Sequence, residues 1–143
     1  MKNIVIGSDH TGVELKSFFK NYLKECGYDI IDVGVDNADA CDYPDVAKSV
    51  AEHIKKNPSD MGILICGTGL GMSIAVNRFP FIRGAVLYST EVAKLAREHN
   101  DANVAIFGAR TFSEKENLNF LKVFLSSKFS KEERHIRRIA KLS

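Results

Sequence analysis

Five short apolar runs, at residues 3–7, 28–33, 61–65, 84–88 and 103–107, alternate with stretches whose apolar residues recur every three or four positions. No other feature of the chain limits its fold as much. Met61 to Ile65 is apolar throughout apart from Gly62, as a strand covered on both faces of a parallel sheet must be. Parallel neighbours need crossovers long enough to hold a helix, and the intervening stretches have helical period. The expected architecture is α/β: a three-layer α/β/α sandwich around a five-stranded parallel sheet, Rossmann-like. At 143 residues the chain has room for one core, and a single domain over 1–143 is expected.

The helices announce their ends. Val13, Leu15, Phe18, Phe19, Tyr22, Leu23 and Cys26 form one apolar face, with Cys26 expected in the core, and Gly27 can take the left-handed conformation that closes a helix. The stretch from Gly34 to Tyr43 is polar and irregular, and Pro44 suits the first turn of a second helix. Val46, Ala47, Val50, Ala51 and Ile54 supply its stripe before Asn57-Pro58. Further helices are expected near 71–77, 90–99 and 114–127. Ser130 and Glu133 have capping-box spacing at the head of a last helix carrying Ile136, Ile139 and Ala140 on one side. Such a C-terminal helix either closes its own core or docks on a partner subunit.

Hydrophobic residues make up 45% and charged residues 27%, the balance of a soluble globular chain. The N-terminal apolar run is too short for a signal peptide or a membrane span, so the expected location is cytoplasmic. Three cysteines without CxxC spacing argue against a disulfide scaffold or a zinc knuckle. Residues 128–143 carry net +4 on a body of net −2. A tail of that kind suits nucleic acid, an anionic membrane surface, a partner subunit or a small anion. The low total charge and few nearby aromatics make nucleic acid the weaker choice.

In open α/β sheets, ligands sit beyond the carboxyl ends of the strands. Three polar clusters are expected at such ends, with Asp9, His10, Cys66 and His99 placed to converge: Ser8-Asp9-His10, Cys66-Gly67-Thr68-Gly69-Leu70-Gly71, and His99-Asn100 just before the fifth strand, the last carried by a helix end. The spaced glycines let several amides converge on an anion or a developing oxyanion. The segment matches neither the Walker loop nor the dinucleotide fingerprint, and a plain tight turn accounts for the glycines equally well. Cys66 is a base or nucleophile favoured by those amides, or a buried core thiol. Asp9 caps the following helix or meets a substrate hydroxyl. His10 binds an anion or shuttles a proton, and His99 is a proton-transfer candidate or a residue favoured by the helix dipole. Arg134 and Arg138, four apart, share a helix face suited to phosphate, or are solvated charges.

Several segments together resemble ribose-5-phosphate isomerase type B, a family that also holds the subunits of galactose-6-phosphate isomerase. They are Gly7-Ser8-Asp9-His10, Asp42-Tyr43-Pro44, Ile63 through Ser73, Ala75-Val76-Asn77-Arg78, and Arg97 through Asn103, in that order. The resemblance implies interconversion of D-ribose 5-phosphate and D-ribulose 5-phosphate through a cis-enediolate, in the non-oxidative pentose phosphate pathway. It implies no metal and no organic cofactor, and neither nucleic acid nor membrane as a partner. It assigns Cys66 as the base at C2, with Thr68 and the amides of Gly67, Gly69 and Gly71 steadying the enediolate. His99 opens the furanose ring, while Asp9, Tyr43 and Asn100 lie against the sugar. His10, Arg110, Arg134 and Arg138 hold the phosphate. The assembly it implies is a homodimer or a dimer of dimers with active sites shared between subunits. A branch of the family uses a glutamate farther along the turn; Cys66 with Ala at position 75 places this chain with the thiol branch. The rival enzyme reading keeps the fold and takes a six-carbon sugar phosphate, and the rival of another class is a non-catalytic phosphate or nucleotide sensor.

Overall fold

A computed structural model describes residues 3–36 and 41–142. The elements follow in chain order: β1 (Asn3–Ser8), a single 3-10 turn (His10–Gly12), α1 (Val13–Glu25), β2 (Asp29–Asp32), α2 (Tyr43–Lys56) and β3 (Met61–Cys66). Then come α3 (Leu70–Val76), β4 (Gly84–Val86), α4 (Thr90–Glu98), β5 (Val104–Gly108), α5 (Glu114–Ser126) and α6 (Glu133–Ala140). The five strands form one sheet in the order β2-β1-β3-β5-β4, and every pairing is parallel.

Strand alternation sorts the core into two layers. Ile4, Ile6, Ile63, Ile65, Ala105 and Phe107 face α1, α4 and α5, where Leu15, Phe19, Leu23, Ala93, Ala96, Phe120 and Phe124 meet them. Val5, Leu64, Cys66, Val104 and Ile106 face α2 and α3, against Val46, Val50, Ile54, Met72 and Val76. Phe19 and Leu23 have no exposed surface, and burying a side chain of that size contributes about 1.5–3 kcal/mol. The expected three-layer sandwich is therefore the observed one.

Chain order passes from β1 outward to β2, then returns to β3 on the other side of β1. This reversal leaves a crevice above the carboxyl ends of β1 and β3. Ser8 pairs with Ile65, so Asp9 and Cys66 emerge side by side at that crevice.

Local signals hold in part. Gly27 has φ +87° after α1, and Pro44 lies in the first turn of α2. Cys26 is exposed rather than part of the core, because it is the C-cap of α1, beyond Leu23, the last residue of the helix that is buried. The capping box expected at Ser130 does not form: Glu132 is the N-cap of α6 without a side-chain cap. Lys131 takes φ +61° there, and the Ser130 hydroxyl accepts the Glu132 N–H at 3.3 Å. A complete capping box stands instead at Ser113 and Glu116 on α5. On α6 the buried residue is His135, while Ile136 is half exposed. Residues 37–40 of the polar stretch before Tyr43 lie outside the described residues.

Candidate active site

The Cys66 side chain is nearly enclosed, and its Sγ accepts the Gly69 N–H at 3.2 Å. That donor supports negative charge on the sulfur. Gly69 has φ +82°, a conformation a side chain resists, and this is what folds the amide back over the thiol. The Thr68 hydroxyl accepts the Leu70 N–H at 3.2 Å. Two amides of the expected anion turn are thus already engaged by the turn's own side chains. The turn is less open to a ligand than its glycines suggest.

Four further predicted residues gather at this end of the sheet. Asp9 lies beside Cys66, with its N–H on the Ile65 carbonyl at 3.1 Å. One carboxylate oxygen, Oδ1, accepts both the Thr11 N–H at 2.9 Å and the Thr11 hydroxyl at 2.6 Å, so Asp9 caps the 3-10 turn. His10 opens the 3-10 turn, and its buried Nδ1 has no hydrogen-bond partner among the described residues. The Arg110 side chain passes over Gly67: a Cβ on that glycine would lie 3.5 Å from Arg110 Cδ and 3.7 Å from both Nη1 and Thr11 Oγ1. The Arg110 N–H donates to the Gly67 carbonyl at 2.9 Å, so β5 and the turn are tied together. Tyr43, at the start of α2, lays its ring on Gly71, where a Cβ would meet the ring at 2.9 Å.

His99, Asn100, Arg134 and Arg138 gather elsewhere. Cys66 pairs with Gly108 and Gly62 with Val104, so the carboxyl end of β3 adjoins the end of β5, not its beginning. His99 and Asn100 precede β5 and lie where Arg83 enters β4, with Arg83 Nε donating to the Asn100 carbonyl at 3.1 Å. A strand of this length spans about 16 Å, and within one chain the two clusters lie at opposite ends of the sheet. The expectation that His99 falls at a carboxyl end, converging with Asp9, His10 and Cys66, fails for a single chain. The reason is topological: α4 runs back along the sheet and delivers its last residue to the amino ends.

The second cluster has its own order. The His99 and His135 rings stack with centroids 4.3 Å apart and planes 17° from parallel. His135 Nε2 lies 3.4 Å from Glu132 Oε2, and Arg134 Nε donates to the same oxygen at 3.0 Å. Burial, then the charges of His99 and Arg134, hold the His135 imidazole below its ordinary range, with Glu132 pulling the other way. His99, Asn100, His135, Arg138, Ile139 and Leu142 line a hollow of about 210 Å³. A larger groove of about 760 Å³ adjoins it, between residues 79–85 and Ile139 to Leu142. Neither cavity touches Cys66. Among the described residues no group of three His, Cys, Asp or Glu is arranged to hold a metal ion, and no helix is long and apolar enough to cross a membrane.

Sequence reasoning missed Thr11 and His135. Thr11 was detectable as the partner of an Asp two residues earlier, the pattern of an Asx turn. His135 gave no signal, because its burial depends on α6 folding back onto the end of α4.

A thiol under an amide at the switch point, with a carboxylate, a histidine and an arginine around it, places the chain in the class of open α/β proteins with a polar crevice at the switch point, where such folds bind their ligands. The model of the Ribose/Galactose Isomerase family matches residues 4–142, and the chain belongs to that family. It is 46% identical over 110 residues to ribose-5-phosphate isomerase B of Escherichia coli, covering 77% of this chain and 74% of that protein. The crystal structure of a ribose 5-phosphate isomerase from Thermotoga maritima superposes with TM-score 0.95 at 44% identity, covering 99% and 97% of the two chains. Ribose-5-phosphate isomerase B from Mycoplasma genitalium, solved with bound ribulose-5-phosphate, gives TM-score 0.94 at 42% identity over 98% and 93%.

Proposed function

We propose that this protein interconverts D-ribose 5-phosphate and D-ribulose 5-phosphate. The observation that carries the reading is the Cys66 sulfur, enclosed beneath the Gly69 amide at the switch point in a chain that matches the family over nearly its whole length. Ring opening comes first. His99 takes the O1 hydroxyl proton as the C1–O4 bond breaks, and O4 leaves with that electron pair and takes a proton back from the His99 imidazolium. The Cys66 thiolate then removes the C2 proton of the open aldose. The C2–H electron pair becomes the C1–C2 double bond, and charge moves onto O1, which the amides of Gly67, Thr68 and Gly71 steady while that of Gly69 stays on the sulfur. The O2 hydroxyl proton passes to the O1 oxyanion, the O2–H electron pair closes the C2 carbonyl, and the C1–C2 double-bond pair takes the proton back from Cys66 at C1.

Asp9 Oδ2, Tyr43 and Asn100 meet sugar hydroxyls, and His10, Arg110, Arg134 and Arg138 meet the phosphate. Because His99, Asn100, Arg134 and Arg138 sit at the far end of their own sheet, the site is completed by the second cluster of another copy. Leu70 and Ile74, four apart on α3 and both more than half exposed, give the Cys66 end an apolar surface for that contact. The deciding measurement is deuterium incorporation from solvent at C2 of ribose 5-phosphate, in parent and Cys66→Ala proteins. The parent exchanges and isomerises, and the variant does neither while still binding the sugar phosphate. Exchange at the parent rate in Cys66→Ala overturns the assignment of the base.

A further inference from the structure

The turn that carries His99 and Asn100 is held in an uncommon way. Helix α4 ends with the His99 N–H on the Leu95 carbonyl at 2.8 Å, and the chain then reverses through Asp101 at φ +46°. A left-handed residue at a helix end is ordinarily Gly, or else Asn. Here it is Asp, and both of its carboxylate oxygens are engaged. Arg97 Nη1 donates to Oδ1 at 2.9 Å, and Arg83 Nη2 lies 3.4 Å from Oδ2.

The two arginines also hold the backbone on either side. Arg83 Nε donates to the carbonyls of Asn100 at 3.1 Å and Asp101 at 3.0 Å, and Arg97 Nη1 donates to the Ala102 carbonyl at 2.6 Å. Arg97 is 7% exposed, and its guanidinium carbon lies 5.8 Å from the centre of the Phe124 ring. A fully charged side chain is rarely buried so deeply unless it is paired. Asn103 anchors the other side, its Oδ1 accepting the Arg83 N–H at 2.8 Å and its Nδ2 donating to the Phe81 carbonyl at 3.1 Å.

We propose that Arg83, Arg97 and Asp101 are positioning residues that fix the His99 imidazole for ring opening. The inference rests on the function proposed above. A glycine at position 101 would end α4 with less strain, but it would leave the two arginines on the turn's carbonyls alone, without the carboxylate that joins them. With Asp101 the two residues before the reversal are tied through one carboxylate to β4 on one side and to the α4–α5 layer on the other. The His99 ring then has one remaining freedom, its own side-chain torsions, and stacking on His135 limits those.

The test is a cycle of variants built on Asp101→Gly, which keeps the left-handed turn and removes the carboxylate. Turnover of ribose 5-phosphate is measured in the parent, Asp101→Gly, His99→Asn and the double variant. Solvent-deuterium exchange at C1 of saturating ribulose 5-phosphate, which begins from the open chain, is measured alongside. Asp101→Gly is expected to lower aldose turnover about tenfold in the parent background and less than about twofold in His99→Asn, because the clamp acts through His99. Exchange from the ketose stays within about threefold. Equal losses in both backgrounds, or parallel losses in both assays, overturn the clamp. Should Asp101→Gly not fold, Arg83→Met retains the Asp101–Arg97 pair and is held to the same pattern. A parent protein that leaves ribose 5-phosphate unchanged refutes the proposed function and the clamp with it.

Discussion

Replacing Gly71 by Ala tests whether Tyr43 acts through its place above the turn. The added carbon would lie 2.9 Å from Tyr43 Cζ and 3.0 and 3.2 Å from the two Cε atoms. Carbon atoms settle near 3.5–4.0 Å, so the ring must retreat by about 1 Å. It can do so, because Tyr43 is 38% exposed and the atoms in contact are at the far end of its side chain. Gly71 is the second residue of α3, where alanine gains at most about 1 kcal/mol of helix propensity. The displaced ring loses contacts of similar size. The two terms nearly cancel, and the melting temperature should stay within about 4 °C of the parent. Activity should not stay. Shifting a substrate-positioning group by about 1 Å costs up to about 10²-fold, and a ring free to follow its ligand recovers part of that. The expectation is a fall of about tenfold in kcat/KM for ribose 5-phosphate, equivalent to about 1.4 kcal/mol, carried by KM. Steady-state kinetics beside a thermal melt reads both quantities. Parent-level kcat/KM refutes the placement of Tyr43, and a melt lowered by more than about 8 °C shows that α3 moved instead of the ring.

Other expectations follow from buried charge. Lys16 is 3% exposed and bonds Asp32 at 2.9 Å and Asp36 at 3.0 Å, as well as the Val35 carbonyl; Lys16→Met should cost about 3 kcal/mol in a denaturant titration. Burial alone would raise the Asp32 carboxyl, but hydrogen bonds from Lys20, the Gly34 N–H and Lys16, with the Lys16 charge, outweigh it and hold the group below its ordinary range. That stabilisation is complete above the unfolded value of about 3.9 and is lost as pH falls through the folded one, so the gap between parent and Lys16→Met should narrow below about pH 4. His135 has the same sign for a different reason. Its proton is harder to add in the folded chain, so its contribution is full above about pH 6.5 and declines as pH falls through that value. Melts between pH 8 and pH 5 should show His135→Asn losing less stability on acidification than the parent; equal slopes refute the assignment.

The sheet was legible because a buried parallel strand has no polar face to confuse its pattern. The crevice between Asp9 and Cys66 followed from the order of strands and helices. The place of His99 did not follow, since a residue just before a strand is close in sequence to that strand's site end and far from it in space. Arg97 reads in sequence as one more charge on an amphipathic helix, and only the reversal at Asp101 brings it a carboxylate and a carbonyl to bond. Ser130 and Glu133 had the right spacing for a cap, yet the backbone at Lys131 turned the chain before the hydroxyl could reach the helix. Spacing records which bonds are possible, and the path of the main chain selects among them.

Placing the two clusters at opposite ends of one sheet has a genetic consequence. A lesion at Cys66 leaves the packing around His99 untouched, and a lesion at His99 leaves the Cys66 turn untouched. With sites completed between copies as proposed, two differently damaged alleles in one cell would form mixed pairs holding one intact site and one doubly defective site. Each allele alone would be impaired, while the two together would recover part of the activity. The same separability lets a duplicated gene divide its ends between two descendants, each of which then becomes indispensable to the other.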